Sequence, residues 1–273
     1  MMEANFLLPI SLFTIIALSI LLHRRVAERA KEIFGERKIS IREVIIIVIF
    51  MGILVTIIGL IPSYAIQILF IAALSYTLLI YTYLFSRKVI VSVIPPIMFI
   101  AAFLFLNYFL VENILVVILI IDIFSVIFAI IVTTLIGPLF SWKVIMVFAA
   151  LLTAMDVIHV FMTGHMVEAA GKVTSLYLPL VLLLPRLPSL RGFTVLGLGD
   201  IFLSGLLSTY VASRYNPKVG LLTAASISIV FLAFDIIVFN FVPSIRAFPA
   251  TLLVLVGWLL GMGPYILKRR EKI

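Results

Sequence analysis

Long apolar segments recur along the whole chain, and this pattern limits the possible folds more than any other feature. Each segment holds about 20 residues, the length at which an α-helix crosses the hydrocarbon core of a bilayer. Of the 273 residues, 64% are hydrophobic and 12% are charged, whereas soluble domains have roughly half and a quarter. We therefore expect an all-α polytopic membrane protein whose helices pack as a bundle.

The apolar segments predict nine transmembrane helices in a single membrane domain. We place them at residues 5–22, 43–61, 64–85, 89–110, 113–136, 142–163, 193–212, 219–242 and 249–267. Residues 1–163 then hold helices one to six, 164–192 form an outer loop, and 193–273 hold helices seven to nine.

Two connections stand out from the short loops. Residues 23–43 are basic, and we expect an interfacial helix there. The apolar residues 176–192 in the outer loop are too short to span a bilayer, and prolines such as Pro188 interrupt them. We therefore expect a re-entrant, surface or strand-like segment in this part of the loop.

The positions of Lys and Arg predict the orientation in the membrane, because these residues favour cytoplasmic loops. With the amino terminus outside, 16 of the 20 lie on the inner side, and the outer four are Lys172, Arg186, Arg191 and Arg246. We predict a multi-pass cell-membrane protein with a cytoplasmic carboxyl terminus. The net charge of +8 then reflects topology and not nucleic-acid binding.

Four aspartates lie inside apolar spans: Asp122, Asp156, Asp200 and Asp235. A charged side chain at the bilayer centre costs about 2.5–3.5 kcal/mol, so each is a candidate for function. A polar contact between helices and an ion pathway are the alternatives. Asp156 and Asp200 each lie roughly 10 Å below the outer boundary, so neighbouring antiparallel helices bring them to one level. Two facing carboxyls can share a proton, one activating water while the other protonates a carbonyl oxygen.

The segment "GLGD", Gly197 to Asp200, gives Asp200 a special setting. If a helix begins near Gly197, Asp200 lies in the first turn, where the helix dipole favours an anion. This segment resembles the GxGD motif of intramembrane aspartyl proteases, the presenilin and signal peptide peptidase family. The resemblance implies nine transmembrane helices, with a catalytic aspartate on the sixth, here Asp156, and another on the seventh, here Asp200. It also implies a Pro-Ala-Leu motif at the start of the ninth helix.

The match to that last motif is Pro249, Ala250 and Thr251, so the resemblance covers the whole chain. Two residues depart from the family pattern. Met155 stands where the family has tyrosine, which removes a hydroxyl beside the aspartates, and Thr251 stands in place of leucine. These departures suggest a divergent prokaryotic or archaeal member. The predicted orientation matches signal peptide peptidase, which implies substrates with an inside amino terminus, such as signal-peptide remnants.

The residues around Asp200 supply the expected substrate contacts. Gly197, Leu198 and Gly199 are expected to support the active site. The preceding Thr194, Val195 and Leu196 have strand-like character, and they can pair with a locally unwound substrate by strand addition. A plain connecting loop is the alternative.

Other protease types are less consistent with this chain. An HExxH zinc motif is absent, and His159, His165 and Glu168 are spaced across a helix end. Ser204 lacks the Gly-x-Ser motif of rhomboid proteases, and we expect it to bond its own helix backbone. Prepilin peptidases also carry GxGD, but they lack Pro-Ala-Leu.

A transporter or channel is the alternative from a different functional class. The four intramembrane acids, with Asn107 and Asn240, can line a cation or proton path. We see no nucleotide loop, metal site or haem motif and predict no cofactor. The expected partners are transmembrane peptide or protein substrates and the lipid bilayer. Gly257 and Gly261 form a small-xxx-small face that predicts helix packing.

Overall fold

A computed structural model of the protein describes residues 5–35, 37–109, 113–186, 192–242 and 247–270. These residues form ten α-helices and one two-stranded antiparallel sheet. The elements are α1 Leu7–Phe34, α2 Ile41–Ile57, α3 Ser63–Ser86, α4 Val89–Phe109, α5 Ile114–Ile136, α6 Trp142–Val157, α7 His165–Ser175, β1 Val181–Pro185, β2 Phe193–Gly197, α8 Leu198–Arg214, α9 Pro217–Phe241 and α10 Ala250–Arg270.

Six of the described helices are long and apolar enough to cross a membrane: α1, α3, α4, α5, α6 with its continuation, and α9. The other candidates are shorter, because α2 and α8 have 17 residues each and the apolar part of α10 is Ala250–Gly263. The fold is therefore that of an all-α polytopic membrane protein. Each predicted span coincides with a helix, but the count of nine membrane crossings stays a prediction.

Two predicted boundaries are wrong. The first helix does not end at residue 22, because residues 23–34 contain no glycine or proline and α1 continues through them to Phe34. The chain leaves this helix at Gly35, which has a φ of 68°, so the basic connection is mostly an extension of α1. The seventh helix begins at Leu198 and not at 193, because residues 193–197 are a strand.

The predicted outer loop contains regular structure. Residues 165–175 form the short helix α7, and residues 181–185 form β1, in agreement with the strand-like alternative. β1 pairs with β2 in the register Val181↔Gly197 to Pro185↔Phe193. Pro188, Arg191 and Arg246, which entered the predictions, lie outside the described residues.

The β1–β2 hairpin lies inside the helix bundle. Leu182, Leu184 and Leu196 belong to the main core, to which α1, α2, α6, α8, α9 and α10 contribute. Val181 and Leu183 point to the opposite face and pack in a second cluster with residues of α3, α4, α5 and α7. Alternate side chains of a strand point to opposite faces, and a strand buried on both faces has a continuous apolar sequence, as β1 does.

Close packing of α10 against α9 fixes the position of α10. An added Cβ at Gly261 would lie 2.7 Å from the Cα of Thr223, and one at Gly257 would overlap the backbone of Ile227. Both helices approach here at the backbone level, which only a residue without a side chain permits. The predicted packing role of Gly257 and Gly261 is therefore confirmed.

Replacing Gly257 by alanine should destabilise the protein, because the new methyl group has no space against Ile227. We expect a loss of about 1–3 kcal/mol, measured as a lower midpoint of thermal unfolding in detergent. Gly263 is the matched control on the same helix, since an added Cβ there meets no atom within 4 Å. Gly263→Ala should unfold no earlier than the wild type, and equal midpoints for the two variants would contradict the packing argument.

Candidate active site

Asp156 lies in the last turn of α6 and is bound by the first turn of α10. Its side chain is 7% exposed, and that of Thr251 is 2% exposed. The Thr251 hydroxyl donates to Asp156 Oδ2 at 2.7 Å, and the Thr251 N–H donates to the same oxygen at 3.4 Å. Backbone N–H groups in the first turn of a helix have no partner within the helix. The amino terminus of α10 therefore uses one of them, and its positive dipole end, on Asp156.

Beyond Asp156, α6 continues as a single π-helical turn, Ile158–Met162. Such turns are frequent at functional sites. His159 in this turn is buried. Its Nδ1 donates to the carbonyl of Met155 at 2.9 Å, and its Nε2 lies 3.2 Å from the hydroxyl of Thr56 on α2. The ring therefore joins α2 to the end of α6, one turn from Asp156.

Asp200 is the third residue of α8, with Gly197 at the N-cap. Its carboxyl group is partly buried and interacts electrostatically with that of Asp156. An added Cβ at Gly197 would lie 3.0 Å from Asp200 Oδ2, so a larger residue would crowd the carboxylate. No neighbour requires glycine at 199, because an added Cβ there meets no atom within 4 Å.

The three predicted motif segments lie together, because α6, α8 and α10 pack against one another. Pro249 is buried and directly precedes α10, and its carbonyl accepts from the N–H of Leu252 at 3.1 Å. Ala250 and Leu198 are partly buried and pack against the main core. The structure thus brings together the carboxyls of Asp156 and Asp200 and the hydroxyl of Thr251.

The two departures from the family pattern are related in the structure. Met155 packs against Gly52 of α2, where an added Cβ would lie 2.8 Å from Met155 Sδ. It therefore fills the space beside α2, and it provides no hydroxyl. Thr251 donates a hydroxyl to Asp156 from the opposite helix. Both departures therefore lie next to Asp156, Met155 directly before it on α6 and Thr251 as a hydroxyl donor from α10.

The hairpin presents one strand edge beside Asp200. The N–H of Leu198 donates to Leu180 O at 2.8 Å, and the N–H of Arg186 donates to Gly192 O at 3.2 Å. Hydrogen-bonded pairs of antiparallel strands recur every second residue, so Leu196 and Thr194 also point their backbone groups at β1. The N–H and C=O of Val195 point the other way, and this residue is 47% exposed.

Asn5 contacts a residue of β2, although no role was predicted for it. Its side chain is fully buried and donates to Thr194 Oγ1 at 3.0 Å. Its Oδ1 accepts from the N–H groups of Leu7 and Leu8 at 3.1 and 3.3 Å. The start of α1 is thereby tied to β2. An asparagine at the start of the first predicted span, a residue type that commonly caps helices, was the signal that could have identified it.

The other candidate side chains have separate places. Ser204 donates to the carbonyl of Asp200 at 2.7 Å, as predicted. Asn107 donates to its own helix at Phe103 O. Asp235 is buried on α9, with Arg186 as an electrostatic neighbour. In the described part of the chain, Asp235 Oδ2 has no hydrogen-bond partner.

The rings of His159 and His165 are 6.2 Å apart. Among the described residues, including Glu168, no three potential ligands converge as a metal site would require. His159 instead uses both of its ring nitrogens in the contacts with Met155 and Thr56.

Comparison with known proteins adds one finding to this geometry. A family model described as signal peptide peptidase matches residues 2–260, nearly the whole chain. The match includes α6, α8 and the start of α10, from which the site is built. No curated protein and no solved structure matches significantly.

Proposed function

This chain belongs to the signal peptide peptidase family of intramembrane aspartyl proteases, and we propose that it is an endopeptidase that cleaves transmembrane segments with Asp156 and Asp200. The observation that carries the proposal is the contact of three helices at one point. Thr251 of α10 binds Asp156 of α6, and Asp200 of α8 interacts with the same carboxyl group.

The chemistry follows from two neighbouring carboxyl groups that hold one proton between them. The ionised carboxylate takes a proton from water as the water oxygen attacks the scissile carbonyl carbon. The protonated carboxyl donates its proton to the carbonyl oxygen. Collapse of the tetrahedral intermediate breaks the C–N bond: the leaving nitrogen takes a proton from one carboxyl group, and a hydroxyl of the intermediate returns its proton to the other, which restores the singly protonated dyad. In this proposal, the Thr251 hydroxyl keeps Asp156 oriented throughout the cycle.

The substrate must be unwound before its backbone is accessible, and the Val195 edge of β2 offers it a partner. An unpaired peptide group in lipid is penalised by several kcal/mol. Addition of the unwound segment to β2 would satisfy its backbone groups. Val195 then pairs with the substrate, while Thr194 and Leu196 hold the strand to β1 and Gly197 allows close approach to Asp200.

The Lys and Arg distribution supports an outside amino terminus and a cytoplasmic carboxyl terminus. In that orientation, water reaches the dyad from the outer side, and substrates with an inside amino terminus are favoured. The contacts of the other polar residues give the transporter alternative little support. Asp122 accepts from a backbone N–H and Asn107 bonds its own helix, so both have structural partners.

Asp156→Asn and Asp200→Asn should each lower the cleavage rate of a purified transmembrane reporter peptide by about a thousandfold or more. Each substitution keeps the side-chain shape and removes a group that must transfer a proton. Asp235→Asn is the matched control, an intramembrane acid on α9, and it should retain most of the activity. Reporter cleavage that persists in either dyad variant would contradict the proposed function.

Thr251→Val should lower kcat by roughly 10- to 100-fold, the range expected for a hydrogen bond to a charged group, with little change in KM. Valine has nearly the shape of threonine but donates nothing to Asp156. Thr251→Ser restores the hydroxyl and should recover most of kcat. Steady-state kinetics on the same reporter measures both, and a valine variant with wild-type kcat would remove Thr251 from the active site.

Val195→Pro should lower kcat/KM while the protein stays folded, because proline removes an N–H that points away from β1. Leu196→Pro is the matched comparison, since its N–H points at β1, and it should lower the thermal unfolding midpoint. Reporter cleavage and unfolding are measured for both variants. Unchanged cleavage by a folded Val195→Pro protein would refute pairing of the substrate with this edge.

A further inference from the structure

The outer edge of β1, on the side away from β2, is closed by two side chains of α5. Asp122 Oδ1 accepts from the N–H of Leu183 at 2.8 Å. Ser125 donates to the carbonyl of Val181, also at 2.8 Å. Ser125 is fully buried. The sequence left Asp122 without a motif or a partner, and this contact gives it both a location and a chemical role.

These two side chains do what a third strand would do. Asp122 and Ser125 are three residues apart on α5 and so lie on the same face of the helix. One accepts a hydrogen bond from Leu183 and the other donates one to Val181, two of the β1 residues whose backbone groups point outward. An unpaired strand edge inside a membrane bundle is costly and is a template for pairing with another chain. Among the residues that the structure describes, no hydrogen bond of this kind covers the other edge of the hairpin, that of Val195.

Hydrogen bonds and the continuous chain link this edge of β1 to Asp200. β1 is bonded to β2 in a fixed register, and the N–H of Leu198, the first residue of α8, donates to Leu180 O. β2 continues directly into α8, where Asp200 is the third residue. The position of β1 on α5 therefore sets the position of the Val195 edge relative to Asp200.

We propose that Asp122 and Ser125 are positioning residues for substrate cleavage: they close the β1 edge, direct the unwound substrate to β2, and fix the register in which its backbone meets the dyad. This inference rests on the proposed function. It predicts an effect on substrate binding and on the choice of the cleaved bond, and not on the proton transfers themselves.

The test uses the full-length protein in proteoliposomes with the transmembrane reporter, and mass spectrometry identifies the products. Asp122→Leu removes the acceptor. Asp122 lines a cavity of about 270 Å³ with apolar neighbours such as Leu119 and Leu182, so leucine has space there. Asp122→Asn keeps an acceptor oxygen, and Ser125→Ala removes the donor. Ser19→Ala is the matched control, a buried serine that donates only to its own helix at Ile15 O.

We expect Asp122→Leu to raise KM about tenfold, the effect of one such hydrogen bond, with kcat within about twofold of the wild type. Additional products should be displaced by two residues, because a strand that slips by two keeps its side chains on the same faces. Ser125→Ala should also raise KM and give additional products, but by smaller amounts. Asp122→Asn and Ser19→Ala should resemble the wild type.

Two results would overturn the inference. One is a wild-type KM with a single product for Asp122→Leu and Ser125→Ala, and the other is an Asp122→Asn variant as impaired as Asp122→Leu. If Asp122→Leu does not fold, Ser125→Ala decides alone. These outcomes are separate from failure of the proposed function, which would show itself as cleavage by Asp156→Asn or Asp200→Asn.

Discussion

Within a membrane bundle, the backbone must find its hydrogen-bond partners inside the protein, because lipid offers none. The helices meet this requirement by themselves. The β1–β2 hairpin cannot, since a two-stranded sheet has two outer edges. Asp122 and Ser125 satisfy one edge from α5, and Asn5 holds β2 from the start of α1 through Thr194. The remaining edge, at Val195, is the one at which we propose that an unwound substrate pairs.

The position of Asp156 depends on helix contacts made far from it. Gly257 and Gly261 let α10 approach α9 closely, and this packing brings the first turn of α10 to Asp156. The N–H and hydroxyl of Thr251 then bind the carboxylate in a place where an unpartnered charge would be costly. Asp156 is thus tolerated in the bundle because the first turn of α10 donates two hydrogen bonds to its carboxyl group.

Helix α2 packs against α6, and polar contacts stabilise the carboxyl-terminal end of α2. Lys172 of α7 donates to the carbonyls of Ile58, Gly59 and Ile61 at 2.9, 2.9 and 2.6 Å. Ile58 is the C-cap residue of α2, and the other two carbonyls belong to the turn that follows, so this lysine binds the end of α2 and that turn. Thr56 on the same helix contacts His159, which lies in the π-helical turn. α2 is in this way fixed beside the end of α6.

The sequence by itself determined the apolar helices, because these follow from local composition. It offered strand character for residues 193–196 with a plain loop as the alternative, and a helix start near Gly197 that puts Asp200 in a first turn, although the predicted span began at residue 193. It also determined the family, through motifs spread over the whole chain. It misplaced the end of α1, since the basic residues after 22 were predicted to form a separate interfacial helix, whereas α1 runs without interruption to Phe34. Only the tertiary structure decided that Thr251 donates to Asp156 and that Asp122 serves β1. Such contacts join residues 95 and 61 positions apart, and their partners depend on how whole helices pack, which no local pattern in the chain records.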